Sequence, residues 1–197
     1  MAPFVYLNGY PGVGKLTVAD ELCRMLPKAK VLSNHLLIDP VTAVFDRRDK
    51  EYQPLRQTVR RTVLESIAKS PSIGDVTWIF TDQQSSSPLG SSAAMDYRHA
   101  AEKRNSVFVS VILHCELDEN LRRTAGEGRG VGASNTKLTD PNIVRRIREE
   151  EDIFRFHDPN ELEIDVTNRS PTEVAEVIIG HIGKASREHS DSIEVVA

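Results

Sequence analysis

The sequence holds only two cysteines, Cys23 and Cys115, one in an apolar helical pattern and one at the end of an apolar run. They do not have the spacing of metal ligands, so both are expected to be reduced and structural, as in a cytosolic chain. Long hydrophobic runs are also missing. Nowhere do eighteen apolar residues follow one another, which argues against a transmembrane helix. The opening "MAPFVYLNGY" has neither the basic region nor the long apolar stretch of a signal peptide. Positive charge is not in excess, since the formal net charge is −4. No global field therefore draws the chain to nucleic acid or to a membrane surface. No internal repeat is visible. What remains, at 39% hydrophobic and 27% charged residues over 197, is the composition of one soluble domain large enough for its own core. The expected location is cytoplasmic.

Short apolar runs alternate with longer helical patterns, which predicts parallel strands joined by helices. Strands are expected at "FVYLN" (4–8), "AKVLS" (29–33), "VTWIFTD" (76–82), "SVFVSVILHC" (106–115) and "LEIDVT" (162–167). The fourth is almost unbroken in β-branched and apolar residues, as when both faces of a sheet are covered. The first helix is expected from Lys15 to Leu26, with Leu16, Ala19, Leu22, Cys23 and Leu26 on one apolar face. A short helix over 35–46 contains Pro40, and a longer one spans 52–69 with Leu55, Val59, Val63 and Ile67 at intervals of four. Further helices are expected near 92–104, from an Asp118 cap to Thr124, and from "TDPN" to about Phe156. A capping box at "SPTE" (170–173) opens the last one, with Val174, Val177, Ile178 and Ile182 inward. From about Ser186 the chain turns polar and is expected to fray, so residues 1–185 form the domain and 186–197 a tail.

The stretch "GYPGVGKLT", Gly9 to Thr17, lies between the first strand and the first helix. Gly9, Gly12 and Gly14 allow backbone conformations that turn successive N–H groups toward one point. The helix beginning near Lys15 adds the positive end of its dipole, and the lysine adds a full charge. This is a cradle for the β- and γ-phosphates of a nucleotide, a Walker A loop. A plain strand–turn–helix connection is the alternative, and it leaves glycines and lysine in this register unexplained. One position departs from G-x-x-x-x-G-K-[ST]: Leu16 stands where a hydroxyl would bind Mg²⁺.

With that departure the loop resembles the P-loop kinases related to adenylate, shikimate and gluconate kinases. Their form G-x-P-G-x-G-K-G-T matches Gly9, Pro11, Gly12, Gly14, Lys15 and Thr17, with Val13 and Leu16 at the variable places. The resemblance implies that Thr17 carries the functional hydroxyl and that Leu16 turns into the core. It also implies a three-layer α/β/α domain with a five-stranded parallel sheet in the order 2-3-1-4-5. Magnesium in that family is held largely through water and the nucleotide.

An arginine-rich lid between the fourth and fifth strands is a further implication, over about 122–148. Arg123 would lie near the adenine, with Arg129, Lys137 and Arg146 near the phosphates. Arg122, Arg145 and Arg148 belong to the same segment. Arginines beside "EEED" (149–152) equally suit a solvated, ion-paired surface. On the acceptor side, Asn34 and His35 stand where shikimate-kinase-like enzymes carry an aspartate pair, and Asp39 follows. His35 suits a general base or a hydrogen-bond partner; a capping Asn34 and a structural histidine are the other reading. Asp82, behind an apolar run, has the pattern of a carboxylate that holds a magnesium-bound water. Arg56 and Arg60 suit either an anionic acceptor or a plain surface. Asn168 and Arg169 follow the fifth strand, where related kinases read the adenine edge, although a simple turn explains them too.

The expected activity is transfer of the γ-phosphoryl group of ATP·Mg²⁺ to a small-molecule acceptor. Two alternatives stay open: a toxin- or antibiotic-type kinase, and a P-loop regulator that binds nucleotide without an acceptor. Neither nucleic acid nor membrane is an expected partner.

Overall fold

The computed structural model describes residues 1–126, 138 and 140–194. Five strands, β1 (Phe4–Asn8), β2 (Ala29–Ser33), β3 (Thr77–Thr81), β4 (Phe108–His114) and β5 (Glu161–Asp165), form one sheet in the order β2-β3-β1-β4-β5. Every pairing is parallel, and Phe4 stands between Trp78 of β3 and Phe108 of β4. The seven helices among the described residues are α1 (Lys15–Met25), α2 (His35–Thr42), α3 (Tyr52–Lys69), α4 (Pro88–Lys103), α5 (Leu117–Ala125), α6 (Pro141–Glu150) and α7 (Pro171–Glu194).

The alternation of β1 divides the core. Val5 and Leu7 join Ala19 and Leu22 of α1 and Val174 and Ile178 of α7 in one buried cluster. Phe4 and Tyr6 face the other way, into a cluster with Leu64 and Ile67 of α3 and Ala94 and Tyr97 of α4. The result is three layers, α/β/α, because both faces of a parallel sheet must be covered. Tyr6 is fully buried beneath Asp82. Burial first, and then the Asp82 charge, push its phenol well above the ordinary tyrosine value and keep it neutral.

Element ends correct several expectations. α4 begins at Pro88 rather than near 92, because Ser87 Oγ accepts from Gly90 N at 3.1 Å and proline fits the first helical position. Glu116, not Asp118, is the cap residue of α5, and Asp118 lies in the first turn, where the helix dipole favours an anion. α6 stops at Glu150 instead of about Phe156. Residues 151–156 are extended there: Ile153 pairs with Ser85, and Phe154 N donates to Gln84 O at 2.9 Å. Phe154 and Phe156, two apart, then reach the same aromatic cluster, a period of two that overrides the charged helical pattern before it. α7 runs on to Glu194, past Ser186, and Val177 faces outward at 40% exposure. The capping box forms, with Ser170 N donating to Glu173 Oε2 at 2.8 Å. No helix of the described residues is long and apolar enough to cross a membrane.

Candidate functional site at the carboxyl ends of the strands

The strand order reverses at β1, and a parallel sheet opens a crevice at that point, beyond the carboxyl ends of the strands. There the chain leaves β1 as Asn8, fully buried. Asn8 Oδ1 accepts from Gly9 N at 3.0 Å and Gln84 N at 2.9 Å, and its Nδ2 donates to Gln84 O at 3.0 Å. This amide joins the entrance of the glycine loop to the end of β3. The loop then passes through Gly12 at φ +91° to Gly14 at φ +100°, a left-handed residue that opens α1. The first helical bond runs from Val18 N to Gly14 O at 3.0 Å, so the preceding amides project off the end of the helix. Lys15 Nζ donates to Gly9 O at 2.6 Å and Tyr10 O at 2.8 Å, which holds the ammonium across the loop.

A cleft of about 740 Å³ lies over this loop. Pro11, Gly12, Gly14, Lys15, Leu16 and Thr17 form one wall. Leu16 is thus half-buried on the cleft and outside both core clusters, a correction to its expected place in the core. Val18 takes that inward position, at 4% exposure. Val13 is buried beneath the loop. The opposite wall contains Asn34, His35, Arg47, Arg56 and Asp82. Arg123, Ile143 and Ile147 line it from the α5–α6 side. Four cations against one carboxylate make the cleft electropositive in a chain that is net negative, a field that attracts phosphate.

Arg123 ties three parts together. It donates to Val13 O at 3.2 Å, to Val166 O at 2.8 Å and to Glu119 Oε1 at 2.6 Å. Arg122 and then Arg123 hold the Glu119 carboxyl down to about 2. α5 also supports the loop from beneath through residues that hydrophobic periodicity does not reveal. Asn120, fully buried, donates to Pro11 O at 2.8 Å and accepts from Arg148 at 2.9 Å. Arg148 also lies 4.9 Å from the Tyr10 ring centroid.

Other expected residues fall elsewhere. Arg146 is 66% exposed, 3.9 Å from Glu150, and Ile143 and Ile147 face the cleft on its helix instead. Asn168 and Arg169 are exposed and outside the lining of the cleft. Asp39 is half-buried one turn beyond His35 and also outside the lining. Arg129 and Lys137 lie outside the described residues.

The two arginines of α3 separate. Arg60 is 4% exposed, with Nε 2.9 Å from Asp96 Oδ2, while Arg61 Nε donates to the other oxygen at 2.8 Å. Arg60 is therefore a core ion pair. Arg60→Ala is expected to lower unfolding free energy in urea by about 3 kcal/mol, the low end for breaking a buried pair because Arg61 remains. An unchanged midpoint would contradict this. Arg56, one turn earlier, lines the cleft, and its buried Nε has no hydrogen-bond partner among the described residues.

The oxygen donors here, the Thr17 hydroxyl, the Asn34 amide and the Asp82 carboxylate, are hard ligands that suit Mg²⁺. Among the described residues no three His, Cys, Asp or Glu side chains are grouped to hold a metal. That fits an ion kept mainly by water and substrate phosphates.

A glycine loop that opens a helix at the switch point of this sheet is the arrangement of a P-loop fold. More narrowly, the fold is that of the P-loop small-molecule kinases. A gluconokinase from Sinorhizobium meliloti is 14% identical, with 96% of this chain and 97% of that one covered at a TM-score of 0.64. The APS kinase of Mycobacterium tuberculosis, solved with AMPPNP and APS, is 20% identical over 92% and 98%, with a TM-score of 0.60. A tunicamycin resistance protein from Deinococcus radiodurans is 18% identical over 93% and 96%, with a TM-score of 0.56. No family model matches the sequence, and no curated protein does.

Proposed function

We propose that the protein transfers the γ-phosphoryl group of ATP to the hydroxyl or phosphate of a small molecule that carries a second, anionic group. One observation carries this reading. The glycine loop and Lys15 share a single cleft with Arg47 and Arg56. A carboxylate or phosphate of the acceptor would pair with these two guanidinium groups, in the fork geometry that arginine offers.

The loop amides and Lys15 bind the β- and γ-phosphates, and Thr17 adds a hydroxyl donor. Magnesium, when bound, supplies charge neutralisation between those phosphates. The nucleophilic oxygen of the acceptor forms a bond to the γ-phosphorus as the β–γ bridging bond breaks, leaving ADP. His35 on the cleft wall, or Asp39 one turn further along α2, orients that oxygen, and His35 receives its proton where the acceptor is a hydroxyl. Ile143, Ile147 and Leu138 offer the base an apolar surface, with Arg123 at its edge. The segment 122–148 acts as the lid and supplies Arg129, Lys137 and Arg146 to the phosphates. Asn168 and Arg169 flank the base side.

The test is incubation with ATP·Mg²⁺ and two acceptor pools, one of sugar acids and phosphorylated metabolites and one of neutral alcohols. ADP release and acceptor mass gain are followed in both. Acceptor-dependent ADP confined to the anionic pool is expected. A neutral natural product as the acceptor would favour an antibiotic-type kinase instead. Tight ATP binding with no acceptor dependence in either pool would overturn the kinase reading in favour of a nucleotide-binding regulator.

A further inference from the structure

Asp82 follows β3, where the run before it suggests a carboxylate that holds a metal-bound water. Its geometry points to a different atom. The residue is 2% exposed, and its oxygens are occupied. Oδ1 accepts from Asn34 Nδ2 at 2.5 Å and from Gln83 N at 2.8 Å, and Oδ2 accepts from Gln84 Nε2 at 2.8 Å. Burial first, and then the Asp82 charge, hold the Tyr97 phenol well above its ordinary value, so it stays protonated. A carboxylate has about four lone-pair sites, and three donors take most of them.

Asn34 lines the cleft beside this anion. With Nδ2 committed to a carboxylate, the amide has only one tenable orientation, because a flip would set two acceptor oxygens against each other. Asn34 Oδ1 is therefore the outward end, and it accepts no hydrogen bond among the described residues. Donation to an anion also polarises the amide and strengthens its oxygen as an acceptor.

We propose that Asn34 Oδ1, rather than Asp82, receives the O–H of a water carried by the divalent cation of the bound nucleotide. Asp82 is a positioning residue that aims the amide. This rests on the nucleotide-binding reading above. It is consistent with the chemistry of Mg²⁺, which gives up its waters reluctantly and is met through them.

The experiment measures Mn²⁺ binding to the protein·ADP complex by electron paramagnetic resonance, with metal-free ADP affinity and circular dichroism as controls. Asn34→Leu is expected to weaken Mn²⁺ about tenfold, the scale of losing an outer partner of a metal, with ADP affinity held within about twofold. D82N keeps an acceptor for Asn34 Nδ2 and is expected to lose less. Should N34L not fold, Asn34→Ala carries the same expectation with less steric load. Because either substitution frees Asp82 Oδ1, Mn²⁺ affinity that is unchanged or tighter would overturn the proposal. So would a larger loss in D82N than in the Asn34 variant. A wild-type protein that binds no ADP, with or without Mn²⁺, would defeat the nucleotide reading itself, which separates the two failures.

Discussion

Lys15→Ala is expected to cut acceptor-dependent ADP formation by about 10³-fold, the upper range for removing one preorganised stabiliser of developing charge. The half-buried ammonium is held by Gly9 O and Tyr10 O at 2.6 and 2.8 Å. It is therefore aimed before phosphate arrives, and little reorganisation is needed during transfer. Charge at such a site acts through a lower effective dielectric than water. Gly9 is buried and neither residue lines the cleft, so the variant leaves two carbonyls without this donor and stability should fall by about 1–3 kcal/mol. Lys15→Arg should not rescue the rate, since a planar fork cannot replace a compact ammonium between two carbonyls. Rates and urea midpoints measured together check this. A rate within tenfold of wild type would remove Lys15 from the mechanism.

The sheet was legible because its signals are local. β1, β2 and α3 stand within the residues that periodicity alone predicts, and the strand order follows the resemblance carried by the glycine loop. Errors arise where tertiary contacts outweigh local pattern. The charged run "REEED" reads as helix through Phe156, yet Phe154 and Phe156 gain more by entering the aromatic cluster in extended form. Val177 fits the inward spacing of α7 and still faces outward, since Val174, Ala175, Ile178, Ile182 and Ala185 already fill the buried face of that helix.

The candidate site was half legible for the same reason. Gly9 to Thr17 are contiguous, and their spacing carries the chemistry. Asn120 bonds the loop at Pro11, 109 residues away in sequence, and Arg148 acts through Asn120, bonds that no motif records. Arg56 and Arg60 look equivalent in sequence, one turn apart on one helix. Only the position of Asp96 on α4 separates them: it binds Arg60 in the core and leaves Arg56 at the cleft.

Gly12→Ala is expected to damage the fold and the nucleotide site together. At φ +91° an L-residue is strained, and the added Cβ would lie 2.4 Å from Thr124 Oγ1 and 2.6 Å from Asn120 Nδ2. Neither neighbour can yield cheaply. Thr124 Oγ1 is held by Asn120 O at 2.8 Å, and Asn120 is fixed between Pro11 O and Arg148. Left-handed strain of about 1–2 kcal/mol and overpacking of about 1–3 kcal/mol add to an expected loss of about 2–5 kcal/mol. Relief by moving the loop would swing its amides off the phosphates, so ATP affinity should fall at least about 100-fold, roughly 2.7 kcal/mol. A second substitution separates the two causes. Thr124→Ala in the Gly12→Ala background removes the nearer contact but not the backbone strain, so it should recover part of the stability and give a favourable coupling in the double-mutant cycle. Additive losses would mean that Thr124 is not what the methyl meets. A wild-type midpoint and ATP affinity in Gly12→Ala would mean that α5 does not brace the loop at all.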